Sequence, residues 1–339
     1  MNLAVLGLGF MGSTHVRALG GIQAARLHAV FDLDERLLSG DFTAVRGNFG
    51  GPGEKLDFSS VRPYRSLDAL LADPEIDAVD ICLPTNLHSD IAIAALRAGK
   101  HVLCEKPMAL DGAAAVRMAE EAERQGRILM VAQVLRFWPE YVAVRQAVRG
   151  GELGAVRFAA FRRRCAAPGW GGWLLDPARS GGGVFDLLIH DADMCLHLLG
   201  KPEAVSAAGY AGAAAGIDCL DAHLYYADGC VASISGGWHH PESYPFVMEF
   251  TVVFEGGTVD WSSKSPAQAS LPVFGRAARP LSLEPADAYA AEIAYFVECS
   301  RAGRAPEVCP PRESADAVKL MLLLEEARQR KGEKVPCRI

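Results

Sequence analysis

Four groups of residues have the types and spacing of chemistry. The first is Gly7-Leu8-Gly9-Phe10-Met11-Gly12, a G-x-G-x-x-G that follows an apolar run, opens a helical pattern and ends 20 residues before Asp32. A dinucleotide-binding turn needs that context. Gly7 permits a tight turn, Gly9 lets a pyrophosphate approach the backbone, and Gly12 lets helix and strand pack closely. Phe10 and Met11 begin the helix whose free N–H groups and positive dipole end would meet the phosphates. Asp32 would accept hydrogen bonds from the adenine ribose hydroxyls. Its charge repels a 2′-phosphate, so NAD is expected over NADP.

The second group is Glu105-Lys106-Pro107, at the end of a predicted strand. Ligands of open α/β sheets sit beyond the carboxyl ends of the strands, so a lysine there points into the crevice. The proline stiffens the backbone that carries it, and Glu105 joins the candidate cofactor residues. The third group is Pro84-Thr85-Asn86-Leu87-His88, at the end of another strand. It is expected to line the same crevice, with Thr85 and Asn86 placed for the nicotinamide ribose. His88 either joins them or supports the helix that follows.

The fourth group runs from Gly181-Gly182-Gly183 through Asp186, His190, Asp193 and His197. Spacings of four, three and four residues put these side chains on one polar stripe of a helix. A solvated face is one explanation. A metal site is another, but no second cluster of ligands completes one, so no metal is expected. The third is an acid/base pair, Asp186 with His190, facing a cleft. Nearby, Trp170 and Trp173 either stack on a sugar ring or pack beneath their loop. Along Arg162-Arg163-Arg164, strand alternation sets Arg163 opposite its neighbours, as a carboxylate ligand or as part of a set of surface ion pairs. His239, His240 and Tyr244 complete the candidates. For substrate, the residues singled out are Trp173, Asp193, Arg163 and His239.

These groups need elements to position them. Strands are predicted over 3–6, 27–32, 61–64, 76–84, 100–107 and 128–132, with helices over 34–38, 66–75, 87–99 and 110–126. Helices between strands imply parallel pairing. The glycine-rich segment 40–57 reads as a long, mobile surface loop. Further on, helices are predicted over 137–149, 184–199, 287–302 and 312–330. Strands over 154–163, 203–211, 217–227, 230–238, 246–255 and 257–262 follow one another closely, as in an antiparallel sheet. The expected fold is α/β, a doubly wound domain over 1–132 and an α+β domain over 133–339 with an open, mostly antiparallel sheet.

Composition excludes several classes of function. The 339 residues carry 34 Lys and Arg against 41 Asp and Glu, a net charge of −7, which disfavours a nucleic-acid partner. No apolar run reaches the roughly 18 residues of a membrane span. Nine cysteines, an odd number with no C-x-x-C pair, fit reduced thiols and a cytoplasmic protein better than a disulfide framework. The apolar start, MNLAVLGLGFMG, lacks the basic segment of a signal peptide.

The order of fingerprint, E-K-P and G-G-G-x-x-D-x-x-x-H resembles the Gfo/Idh/MocA oxidoreductases, which include inositol dehydrogenases and glucose–fructose oxidoreductase. Arg136-Phe137, Tyr289-x-x-Glu292 and Phe296 extend the resemblance over most of the chain. It implies a Rossmann domain followed by an open-sheet domain that often forms dimers or tetramers. It also implies NAD(P)-dependent oxidation of a sugar or cyclitol alcohol, with Lys106, Asp186 and His190 as the catalytic trio. His190 would take the hydroxyl proton, Lys106 would stabilise the oxygen, and Asp186 would orient His190. Lys106 as the base is the other assignment. Leu188 stands where many members have glycine, and the 40–57 loop is longer than usual. Two other readings remain: a cofactor-binding sensor without turnover, or a dehydrogenase or reductase of a diene-diol, imine or alkene.

Overall fold

The computed structural model describes residues 1–48, 53–211, 218–265, 269–275, 277–281 and 283–339. The chain divides into two compact units, residues 1–134 with 286–315, and residues 135–285 with 316–339.

In the first unit β1 (Asn2–Leu6), β2 (Arg26–Phe31), β3 (Arg62–Tyr64), β4 (Ala78–Ile81), β5 (His101–Glu105) and β6 (Leu129–Ala132) form one sheet. The order is β3-β2-β1-β4-β5-β6 and every pairing is parallel. Parallel strands are covered on both faces, so they read as continuous apolar runs. Leu3 to Leu6, Val102 to Cys104 and Leu129 to Val131 are buried accordingly. The crossovers are α1 (Phe10–Leu19), α2 (Glu35–Leu38), α3 (Leu67–Leu71), α4 (His88–Arg97) and α5 (Gly112–Gln125). Local chemistry sets their ends. Ser66 and Asp111 accept the backbone N–H groups of Ala69 and Ala114, and α5 stops at Gly126 in the left-handed conformation. Strand order reverses between β1 and β4, the switch point where such sheets bind ligands.

The 40–57 segment is more ordered than its glycines suggest. Residues 49–52 lie outside the described residues. The stem is a hydrogen-bonded hairpin: Phe42 N–H donates to Glu54 O at 3.0 Å and Leu56 N–H to Gly40 O at 2.9 Å. Phe42 is buried in the core with Val5, Leu8, Val16 and Val30. One aromatic anchor therefore fixes a segment that local composition marks as loop.

The second unit holds α6 (Pro139–Gly150), β7 (Val156–Arg164), α7 (Pro177–Ser180) and α8 (Gly183–Leu199). There follow β8 (Ala204–Ala211), β9 (Asp218–Tyr225), β10 (Val231–Gly237), β11 (Val247–Phe254), β12 (Thr258–Ser262), β13 (Ser270–Leu271), β14 (Arg279–Pro280) and β15 (Val335–Pro336). The sheet order is β14-β13-β12-β11-β7-β10-β9-β8-β15. Pairing is antiparallel except between β7 and β10, which run parallel. A simple succession of hairpins is broken there, because α8 and the β8–β9 hairpin intervene before β10 returns beside β7. Helix α8 packs on β7, β9 and β10.

Two helices close the chain, α9 (Ala288–Ala302) and α10 (Pro311–Gln329). Asp287 caps α9, which packs against α1 and β5 within the first unit. Among the described residues no helix is long and apolar enough to cross a membrane.

Candidate active site

The fingerprint turn follows β1 directly. Gly7 has φ +87°, and a Cβ placed on Gly12 would lie 1.8 Å from the Gly7 carbonyl oxygen. Any larger residue at position 12 would push α1 off the turn. A Cβ on Gly9 would meet nothing within 4 Å, so the outer surface of the turn is open. Asp32 is tied to this turn: its Oδ2 accepts the Leu8 N–H at 2.7 Å, and its Oδ1 accepts the Leu33 and Asp34 N–H groups. Its carboxylate therefore locks the end of β2 to the glycine turn while staying partly exposed.

After β4, Thr85–Leu87 forms one 3₁₀ turn. Asn86 is exposed and Thr85 is buried. Of the two readings of His88, its contacts match support. It is buried, with Nδ1 2.8 Å from the Pro107 carbonyl oxygen and Nε2 2.7 Å from that of Leu83. Burial lowers its pKa even though both carbonyls favour the protonated ring. The ring staples the end of β4 to the turn that carries Lys106.

The Lys106–Pro107 peptide bond is cis. Lys106 is half-buried, whereas Glu105 turns inward and is buried. Glu105 is thus corrected from a cofactor contact to a core residue. Its Oε2 accepts the Lys106 N–H at 3.0 Å, and its Oε1 lies 3.1 Å from His15 Nε2. His15 Nδ1 is 2.8 Å from Asp80 Oδ2, and the Cys82 sulfur is 3.6 Å from both partners. Burial alone would lower the His15 pKa, but Asp80 and Cys82 together hold it well above its ordinary value. Burial would raise Glu105, and His15 with Lys106 keeps it below the usual range. Glu292 of α9 is buried against the same group, and neither of its carboxyl oxygens has a hydrogen-bond partner. Burial pushes its pKa well up, with the charges of Glu105 and Asp80 adding to the rise. Sequence reasoning missed Asp80 and His15 as a pair. The signals were an acid inside an apolar strand and a histidine on the buried side of an apolar helix, each of which needs a partner.

In the second unit, Gly181 and Gly182 deliver the chain onto α8 with φ +85° and +90°. The cap comes from far away: Asp218 of β9 accepts the Val184 N–H at 2.8 Å and is itself held by Arg328 at 3.0 Å. Asp186 and His190, one turn apart, are both half-buried. The remaining acids of the helix are occupied. Asp191 takes Arg163 through two bonds of 3.0 Å, and Asp193 takes Arg136 through bonds of 2.8 and 2.7 Å. All four side chains are at most 2% exposed. Arg163 and Asp193 are therefore corrected from substrate ligands to buried structural pairs. His197, on the same stripe, lies against Arg145. Arg162 and Arg164 point the other way and share Glu249, as alternation requires.

Leu188 is buried, and its space comes from the facing strand. A Cβ on Gly236 would lie 1.8 Å from the Arg163 carbonyl oxygen and 3.0 Å from Leu188 Cδ2. The bulk on the helix is thus matched by a missing side chain on β10. Trp173 is half-buried, Trp170 is exposed, and His239 is exposed with its ring 5.3 Å from Tyr210. His240 stacks on Tyr244 at 4.3 Å. Lys106 belongs to the first unit, and Asp186 and His190 to the second.

Comparison with known proteins adds to these observations. The model of the Gfo/Idh/MocA oxidoreductase family, NAD-binding Rossmann fold, matches residues 1–133, and that of the family's C-terminal domain matches residues 141–260. The chain is 35% identical over 202 residues to the myo-inositol 2-dehydrogenase of Thermotoga maritima, a match that spans 59% of this chain and 55% of that protein. It is 29% identical to the inositol 2-dehydrogenase of Rhizobium meliloti, over 98% of each. The solved structure of UDP-N-acetylglucosamine 3-dehydrogenase from Acidithiobacillus ferrooxidans matches with a TM-score of 0.78 and 26% identity, over 97% of this chain and 98% of that one.

Proposed function

This chain belongs to the Gfo/Idh/MocA oxidoreductase family, and from that membership we propose that it oxidises a secondary alcohol of a sugar or cyclitol with NAD. The reading rests on one observation above the rest: a complete dinucleotide turn with Asp32 occurs in the same chain as the Lys106 turn and the Asp186–His190 pair. Residues 1–132 would bind the cofactor, and residues 133–339 the substrate. Assembly as a cytoplasmic homodimer or homotetramer through the second sheet is part of the same proposal.

The residues fit the cofactor. Gly7 and Gly12 leave no room for side chains, Gly9 leaves the turn open, and the N-terminus of α1 begins at this turn without a side-chain cap. Asp32, anchored by Leu8, keeps lone pairs for ribose hydroxyls and repels a 2′-phosphate. Phe10, Met11, Pro84, Thr85 and Asn86 remain candidates for cofactor contact. When bound, NAD supplies the hydride acceptor at its nicotinamide ring.

Removing a hydride from carbon leaves a proton on oxygen. His190 takes that proton, and Asp186 one turn away orients the ring and offsets its charge. Lys106 is the candidate for stabilising the negative charge that develops on an alkoxide. Trp173 and His239 are substrate candidates. The names of the relatives, inositol 2-dehydrogenase and UDP-N-acetylglucosamine 3-dehydrogenase, support a sugar or cyclitol.

The test is a panel of sugars, cyclitols and their keto forms, followed at the absorbance of the reduced cofactor with NAD and NADP in parallel. Turnover with NAD in clear excess over NADP is expected. On the substrate so found, Lys106→Ala should lower kcat by about 10²–10⁴. Undiminished turnover in Lys106→Ala would overturn the assignment.

A further inference from the structure

The reaction assigned above makes no use of His15, yet His15 occupies a defined place. It is a fully buried imidazole on α1, the helix whose N-terminus carries the fingerprint. Its two nitrogens face two different carboxylates: Nδ1 is hydrogen-bonded to Asp80 of β4 at 2.8 Å, and Nε2 makes an ion-pair contact with Glu105 of β5 at 3.1 Å without hydrogen-bond geometry. Glu105 in turn accepts the backbone N–H of Lys106 at 3.0 Å. These contacts form an unbroken line from Asp80 through His15 and Glu105 to Lys106, all within one unit. The other groups facing His15 are Cys82, after β4, and Tyr289 and Glu292 of α9. The Tyr289 ring centre is 6.1 Å from that of His15.

We propose that His15 is a positioning residue for Lys106: clamped by Asp80, it holds the Glu105 carboxylate inward, where the carboxylate fixes the backbone of the lysine turn. The proposal rests on the reading of Lys106 as a catalytic residue. Physically, a carboxylate at the end of a strand prefers water, and facing inward requires a buried cation or donor. His15 is the group that meets it there. The sequence Glu-Lys-Pro would otherwise be free to turn Glu105 outward and carry the lysine backbone with it. Because His15 sits on α1, the phosphate-binding helix and the lysine turn are tied through one side chain.

Two amides divide the imidazole between them. Asn imitates Nδ1 and keeps the partner for Asp80. Gln imitates Nε2 and keeps the partner for Glu105. Hydrogen exchange at the Lys106 amide reads the result in the full chain without any substrate, with urea midpoints measured alongside. In His15→Asn the Lys106 amide should exchange about tenfold faster than in wild type, the least that a hydrogen bond to a charged acceptor is worth. In His15→Gln it should stay about tenfold more protected than in His15→Asn. Asp80→Asn, which removes a charge that does not touch Lys106, should also speed that amide. The idea falls if Lys106 exchange is unchanged in His15→Asn, or if it merely follows the urea midpoint in all three variants. Should both His15 variants fail to fold, Asp80→Asn decides alone. Turnover of Lys106→Met is measured separately. If it is retained, the catalytic reading of Lys106 fails while amide exchange still judges the clamp. If it is lost and exchange does not respond to His15, the clamp fails and the catalytic reading stands.

Discussion

Each unit buries charge, but in different chemistry. In the second unit the charges are matched one to one: Arg136 with Asp193 and Arg163 with Asp191, each through two bonds. An arginine does not give up its proton, so the cationic half of each pair is permanent. In the first unit the groups are histidine and carboxylates. His15 stands between Asp80 and Glu105, and Glu292 lies beside them with no hydrogen bond at all. Against the pull of burial, Asp80 and Cys82 hold His15 protonated above its ordinary range, and burial pushes Glu292 well up. The helix presenting Asp186 and His190 is thus fixed by guanidinium–carboxylate pairs, whereas the turn presenting Lys106 rests on an imidazole between carboxylates.

Breaking an arginine pair gives the largest expected effect. Arg163→Met leaves Asp191 charged and buried, and should cost about 3–5 kcal/mol in urea unfolding. Arg163→Met combined with Asp191→Leu should recover most of that loss, because no orphan charge remains. A double variant as unstable as the single one would mean that packing, not charge pairing, holds α8.

Next in size is the titratable cluster. Glu292 has a raised pKa in the folded chain, so its stabilising contribution is complete below about pH 4.3, the ordinary glutamate value. That contribution is lost as pH rises towards the raised value. Glu292→Gln keeps the shape of the neutral acid and removes the titration. The variant should match wild type near pH 4 and then gain on it by up to about 1.4 kcal/mol per pH unit. Urea unfolding at a series of pH values checks this, and a difference that does not grow with pH would contradict it.

The smallest effect belongs to Arg162, next to Arg163 on β7. Its side chain is 52% exposed and 3.5 Å from Glu249. Arg162→Gln should change stability by no more than about 0.5 kcal/mol. Adjacent arginines would then differ in worth by several fold, the difference set by which face of the sheet each one meets.

Much of the fold is legible in the chain itself. Most strands of the first sheet are short apolar runs, β3 being the exception, and the long helices lie within a residue or two of their expected bounds. What local pattern cannot carry is partnership. Strand alternation separates Arg163 from its neighbours, but only α8 makes its side the buried one. His88 and Glu105 sit at strand ends, where ligands bind, yet their partners are carbonyls and an imidazole supplied by distant elements. Phe42 turns a glycine-rich loop into an anchored hairpin for the same reason.

By itself the sequence determined the dinucleotide turn, the alternation of strands and helices and the long central strands of the second sheet, and it singled out Lys106, Asp186 and His190 as candidates. These depend on spacing along the chain and on what glycine alone permits. The tertiary structure decided that β7 and β10 run parallel, that Asp193 and Arg163 are spent on ion pairs, and that His15 meets Glu105 beneath Lys106. Those outcomes depend on contacts between residues tens of positions apart. The cost of leaving a buried charge without a partner chooses among such contacts, and no local pattern records it.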